Sequence, residues 1–163
     1  MNPERGSAPE IGMMRVEQAV MVQASPRRVF EALTGDIAAW WGPPHIIDEN
    51  RSRDIIMEPR LGGRLYEDWG DGAGALWATV TRIRPDEYLE LTGPLGTRRV
   101  VLGVITFTLE PRGGATLLRL SHRAVGEMGP DTETSYDEGW RDLLERKFRA
   151  YAERGERLGL RRT

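Results

Sequence analysis

His122 is the titratable side chain whose setting in the sequence points most directly to chemistry. It closes the run Leu118-Arg119-Leu120-Ser121-His122. Successive residues of a β-strand point to opposite faces, so Leu118, Leu120 and His122 share one side while Arg119, Ser121 and Arg123 share the other. With the leucines turned inward, the imidazole lies beside an apolar interior, where it can orient a polar group of a ligand or act as a general base near neutral pH. The plainer reading is a histidine hydrogen-bonded within the core or at its rim. Ser121 diverges from His122 on the strand and no GxSxG elbow is present, which argues against a Ser-His dyad.

Other polar constellations are weaker. His45 with Asp48 and Glu49 has the look of a metal half-site, but the chain has only two histidines and no cysteine to complete a tetrahedral set. No metal and no cofactor is expected. The glycine run at residues 70–74 joins two predicted strands instead of opening a helix, so it reads as a hairpin loop and not a phosphate cradle. Glu58, Glu67, Asp68 and Glu90 fall on predicted strands without forming a catalytic carboxylate pair. The aromatic residues carry more. Trp40, Trp41, Tyr66, Trp69, Trp77, Tyr88 and Trp140 combine rigid apolar faces with polar tips, a chemistry suited equally to core packing and to pocket walls.

These side chains need elements to hold them. Met14 to Gln23 alternates as a strand, Ser25-Pro26 starts a short helix with Val29, Phe30 and Leu33 on its buried face, and Asp36 starts a second with Ile37, Trp40 and Trp41. Six strands follow in hairpin order: Ile55–Glu58, Arg64–Trp69, Ala75–Arg84, Glu87–Thr92, Arg99–Glu110 and Ala115–Ala124. Alternation drifts between Leu76 and Ile83, the mark of a bulge that re-aims Trp77 or Thr79. From Ser135 to Leu158, Tyr136, Trp140, Leu143, Leu144, Phe148 and Tyr151 recur at spacings of three and four, which predicts a long amphipathic helix capped at Ser135 with Glu138. The order β-α-α-β-β-β-β-β-β-α predicts an α+β fold in which a curved antiparallel sheet grips the C-terminal helix.

The 163 residues suit one domain: a disordered leader over 1–12, a folded unit over 13–158 and a flexible tail over 159–163. Formal net charge is -2 and the arginines are dispersed, which excludes a clustered nucleic-acid footprint. No apolar run reaches the roughly eighteen residues of a membrane span. The N-terminus lacks the apolar segment of a secretory signal, so a cytoplasmic location is expected.

In the order and spacing of Ser25-Pro26-Arg27-Arg28-Val29-Phe30-Glu31-Ala32-Leu33, Trp40-Trp41, Pro59-Arg60-Leu61-Gly62-Gly63-Arg64, Thr106-Phe107-Thr108-Leu109, Leu118 to His122 and Glu138-Gly139-Trp140, the chain resembles the START-like, or SRPBCC, helix-grip superfamily. It is most similar to the branch named after the activator of the heat-shock-protein-90 ATPase. The resemblance implies an apolar cavity between sheet and helix, used in the superfamily for lipids, hormones or polyketide intermediates. It makes binding of a small, largely apolar molecule the leading expectation, with Trp41, Tyr66, Trp69, Trp77, Phe107, Leu120, His122, Trp140 and Leu144 as candidate lining residues and His122 as the candidate catalytic group. The alternatives are a polyketide cyclase, aromatase or dehydratase using the same cavity, and a protein-interaction module, either co-chaperone-like or a homodimer.

Overall fold

The computed structural model describes residues 10–160; the ends of the expected leader and tail, 1–9 and 161–163, lie outside the described residues. Strand β1 (Glu10–Val22) is followed by α1 (Pro26–Thr34) and a single 3-10 turn (Ile37–Ala39). Then come β2 (Asp54–Met57), β3 (Arg64–Gly70), β4 (Ala73–Arg84), β5 (Tyr88–Gly93), β6 (Val101–Arg112) and β7 (Ala115–Met128). The C-terminal helix runs through α2 (Thr132–Arg141), a π-helical stretch (Asp142–Phe148) and α3 (Arg149–Arg154). All seven strands form one antiparallel sheet in the order β1-β7-β6-β5-β4-β3-β2. This is the helix-grip α+β fold.

Alternation along the strands makes one sheet face apolar. Val16, His122 and Ile105 stand side by side across β1, β7 and β6, and the next inward row is Gln18, Leu120, Phe107 and Leu89. That face closes on Trp140, Leu143, Leu144 and Phe148 of the C-terminal helix, all buried. Burying each such side chain contributes roughly 1.5–3 kcal/mol, which holds the helix on the sheet. Strand β1 forms a sheet edge whose free amides would otherwise invite pairing with another chain. The helix supplies acceptors there: Glu133 takes the Arg15 N–H at 3.2 Å and Glu153 takes the Gln23 N–H at 2.6 Å.

The sequence reading and the structure differ at the helix. It begins at Thr132, three residues before Ser135, and the Ser135 N–H already donates to the Asp131 carbonyl. The N-cap is Asp131, which makes no side-chain capping bond, and Thr132 Oγ1 accepts from the Gly129 N–H at 2.8 Å in the preceding turn, so the anticipated capping box does not start the helix. Gly155, at φ 68°, ends the helix in the left-handed conformation that a residue without Cβ adopts at least cost. Beyond it the Gly159 and Leu160 N–H groups donate to the Ala39 and Trp41 carbonyls. This approach depends on glycine, because a Cβ at position 42 would stand 2.4 Å from the Leu160 nitrogen.

The bulge is where the drift in β4 placed it. Leu65 faces Ala78 and Tyr66 faces Leu76, leaving Trp77 as the extra residue; Trp77 and Ala78 are consequently both buried. Trp77 donates its indole N–H to Glu67, a carboxylate with no solvent exposure on the inward face of β3. Glu67 also accepts from the Ile47 and Asp48 N–H groups and the Ser52 hydroxyl, tying the 47–52 loop to the sheet. Replacing Glu67 by Leu strands four donors in a dry site, so a loss of about 3–5 kcal/mol is expected in urea unfolding. A loss below about 1 kcal/mol would show that the loop is not held by this carboxylate.

Candidate functional site

Strand alternation turns His122 inward from the middle of β7, and the i, i+4 spacing of Tyr136 and Trp140 sets both above it on one face of α2. The Trp140 indole N–H donates to His122 Nδ1 at 3.0 Å. Indole nitrogen is a donor only, so Nδ1 must be the unprotonated nitrogen and the ring hydrogen sits on Nε2. The His122 side chain is 1% exposed. Burial pulls its pKa down from the usual 6.5 to about 4, so the imidazole is neutral at pH 7. Tyr136 meets the same ring edge-on at 5.0 Å and donates its hydroxyl to the Leu95 carbonyl at 2.9 Å.

The space between sheet and helix is divided. Its middle is filled by tryptophans in edge-to-face contact: Trp41 stands 5.4 Å from Trp77 and 5.5 Å from Trp140, and Phe107 backs Trp140 at 5.8 Å. Two clefts open on either side of Tyr136. One, of about 340 Å³, has His122, Met14, Val101 and Ala124 in its wall and Arg99 at its rim. The other, of about 280 Å³, is bounded by Trp41, Trp77, Trp140, Leu143 and His45.

Among the sequence candidates, His122 therefore borders the first cleft, and Trp41, Trp77 and Trp140 border the second. Phe107, Leu120 and Leu144 are buried behind them and line neither. Tyr66 shares the outward side of β3 with Arg64, whose guanidinium covers its ring at 4.7 Å. Trp69 borders neither cleft, and its buried indole nitrogen has no partner among the described residues.

Sequence reasoning missed the second histidine's partner. His45 Nε2 lies 2.8 Å from Asp142 Oδ2, while Asp48 instead accepts from the Asn50 and Arg51 N–H groups of its own turn. The loop is set by the Trp41 indole, which donates to the His45 carbonyl at 2.8 Å. Burial alone would raise the Asp142 carboxyl, but hydrogen bonds from Arg146 and His45 and the charges of Arg146 and Lys147 hold it below its ordinary value. An aspartate so placed orients an imidazole for proton transfer. Lys147, buried and pushed down by that burial, reaches the Pro43 carbonyl at 2.7 Å. It sits within the π-helical stretch, a geometry that frequently marks functional positions. Nothing in local spacing signals a pair 97 residues apart. Tyr136 had a signal, its place one turn before Trp140.

The neutral His122 makes stability depend on pH. An unfolded histidine protonates near 6.5 whereas the folded one resists until about 4. Falling pH thus favours the unfolded chain across that window: the contribution is intact above about 6.5, is lost on the way to 4, and is constant below it. The loss is roughly 3 kcal/mol. His122→Gln, followed by urea unfolding at several pH values, is expected to flatten this slope by close to one proton; an unaltered slope would mean that His122 takes up its proton equally readily in the folded and unfolded chain.

Residues 23–153 match the family described as "Activator of Hsp90 ATPase homolog 1-like protein". No curated protein is a match for the chain. Among solved structures, the Mll3558 protein of Rhizobium loti is 21% identical with a TM-score of 0.63, covering 83% of this chain and 94% of its own. The Aha1 dimer of Colwellia psychrerythraea, solved in solution, is 20% identical with a TM-score of 0.61, over 87% of this chain and 98% of its own. DynU16, a putative protein of the dynemicin biosynthetic locus, is 22% identical with a TM-score of 0.64, over 88% of this chain and 48% of its own. At such identities these are likenesses of fold. The family match extends over far more than half of the sequence, and the chain belongs to the family of Activator of Hsp90 ATPase homolog 1-like proteins.

Proposed function

We propose that this protein binds a small, largely apolar molecule between the concave sheet face and the C-terminal helix. The observation that carries the reading is the pair of clefts beside Tyr136, whose volumes of about 340 and 280 Å³ stand just above and just below the lower bound for small-molecule sites. The second cleft sets Trp41, Trp77, Trp140 and Leu143 against an apolar body, while the first mixes Met14, Val101 and Ala124 with polar groups such as Arg99, His122 and Thr132 that can fix its orientation. The His45–Asp142 pair beside the second cleft leaves room for a cyclase- or dehydratase-like reaction on the bound molecule, since an oriented imidazole can move a proton.

The test is to fill the clefts without removing core residues. Gly139 borders the second cleft, and a Cβ there would approach nothing closer than 3.5 Å, so Gly139→Leu adds bulk at a position where any side chain also favours helix. Ala124→Leu does the same in the first cleft. Tryptophan-fluorescence titration with a panel of aromatic and fatty molecules is expected to give saturable binding that at least one filled variant weakens about tenfold or more, at unchanged or raised melting temperature. Absence of saturable binding across the panel, or full affinity in both variants, overturns the reading.

A second reading, self-association, is favoured by one observation. On the outward sheet face, Met13, Val125 and Leu102 form a row across β1, β7 and β6, and they are 84%, 44% and 59% exposed. An apolar row of this kind is a surface that association covers, and the Colwellia relative is described as a dimer. Val125→Lys is then expected to convert a dimer to a monomer in light scattering; a protein that is monomeric at high concentration before substitution disposes of the idea.

A further inference from the structure

The proton on His122 has nowhere to go within the protein. The Trp140 bond forces the hydrogen onto Nε2, and no acceptor among the described residues bonds that nitrogen although the side chain is 1% exposed. Among the described residues the enclosed polar atoms without a partner are Gln18 Oε1 and Trp69 Nε1, and Nε2 is not one of them: its N–H keeps an opening, and the cleft that His122 borders is where a partner can reach it. Nδ1 faces Trp140, so Nε2 is turned away from it and lies over Gly103 of β6. A Cβ at position 103 would stand 3.3 Å from Nε2. A side chain there would crowd both the imidazole edge and the Gly93 carbonyl, so glycine leaves the ring its place. His122 borders the larger cleft, which supplies the space.

We propose that the larger cleft takes a neutral molecule bearing a carbonyl group, whose oxygen accepts the Nε2–H of His122 while its ring or chain lies against Met14, Val101 and Tyr136. This deepens the ligand-binding reading above and rests on it. The donor is single and uncharged, the complement of a ketone, amide, lactone or quinone oxygen. A carboxylate is disfavoured by the rim, where Arg99 is accompanied by Glu127 and Asp131. Glu127 is engaged with the Val100 N–H, and its charge still faces the opening. Trp140 acts as a positioning residue: it makes no contact with the ligand oxygen, and decides which nitrogen presents the hydrogen.

The experiment compares 2-acetylnaphthalene with 2-ethylnaphthalene, which replaces the carbonyl by a methylene, and with 2-naphthoate. Affinities come from NMR titration, with the two His122 ring nitrogens followed in long-range ¹H–¹⁵N spectra. The free protein is expected to show Nε2 protonated and Nδ1 bare. The ketone is expected to bind at least about tenfold more tightly than the hydrocarbon and than the carboxylate, and to shift Nε2 specifically. His122→Phe should erase the preference for the ketone while retaining the hydrocarbon. Trp140→Phe, which removes only the indole donor and keeps an aromatic ring in the interior, should mix the two tautomers and shrink the preference.

Equal binding of ketone and hydrocarbon with an unmoved Nε2 overturns this proposal alone, because it means that water or nothing meets the N–H. Tighter binding of naphthoate overturns the choice of a neutral ligand. Failure of all three compounds to bind overturns the proposal here, and the broader ligand-binding reading falls only if the wider panel above fails as well.

Discussion

The hydrogen bond from the Trp140 indole to His122 is the constraint around which the interior is arranged. It joins the C-terminal helix to the centre of the sheet in a place that water does not reach, where an unmatched donor or acceptor is costly. A bond of this kind has one acceptable geometry, so it fixes the rotation of the helix about its axis as apolar packing alone would not. Once Trp140 is fixed, Tyr136 one turn earlier has to fall over the imidazole, and Leu143 and Leu144 have to meet the sheet. The same bond settles the tautomer. Helix rotation and the tautomer of His122 are thus tied to a single contact.

Much of the fold was legible because its causes are local. Period-two alternation places Leu118, Leu120 and His122 on one face whatever the rest of the chain does, and the hairpins announce themselves in Gly-rich or Pro-containing turns. At Asp71 and Gly72 the backbone has positive φ, as a tight hairpin requires. The drift of pattern between Leu76 and Ile83 was legible too, since an extra residue in one strand leaves two consecutive side chains on the same side. Less visible was the π-helical stretch over Asp142–Phe148. It holds Lys147, which reaches the Pro43 carbonyl, a contact 104 residues away that local spacing does not signal.

The site was legible in part for the same reason. His122 and Trp140 were identifiable by residue type and face, Trp41 and Trp77 by residue type alone. The partners that give them meaning lie far off in sequence: Glu67 for Trp77, Leu95 for Tyr136, Asp142 for His45. Tyr66 illustrates the opposite limit. Alternation ruled that it and Leu65 point apart, yet only the burial of Leu65 and Glu67 decides which side is inward, and that information resides in the 47–52 loop that Glu67 holds.

A filled centre and a binding function are compatible because different residues serve them. The tryptophan cluster and Glu67 supply rigidity: each indole N–H that is paired has a fixed acceptor, at Ala32 for Trp40, His45 for Trp41, Glu67 for Trp77 and His122 for Trp140. Rigid walls reduce the ordering that binding requires, which raises affinity for a given contact area. Tyr136 differs from them. It is half-buried, it borders both clefts, and its hydroxyl donates to a backbone carbonyl of the 94–100 loop. Displacing that ring costs one bond and some apolar contact, and it would join the two clefts into a continuous space along the helix. Under the reading proposed above, the size of an admitted molecule would then depend on the contact it offers Tyr136 as much as on the tryptophans.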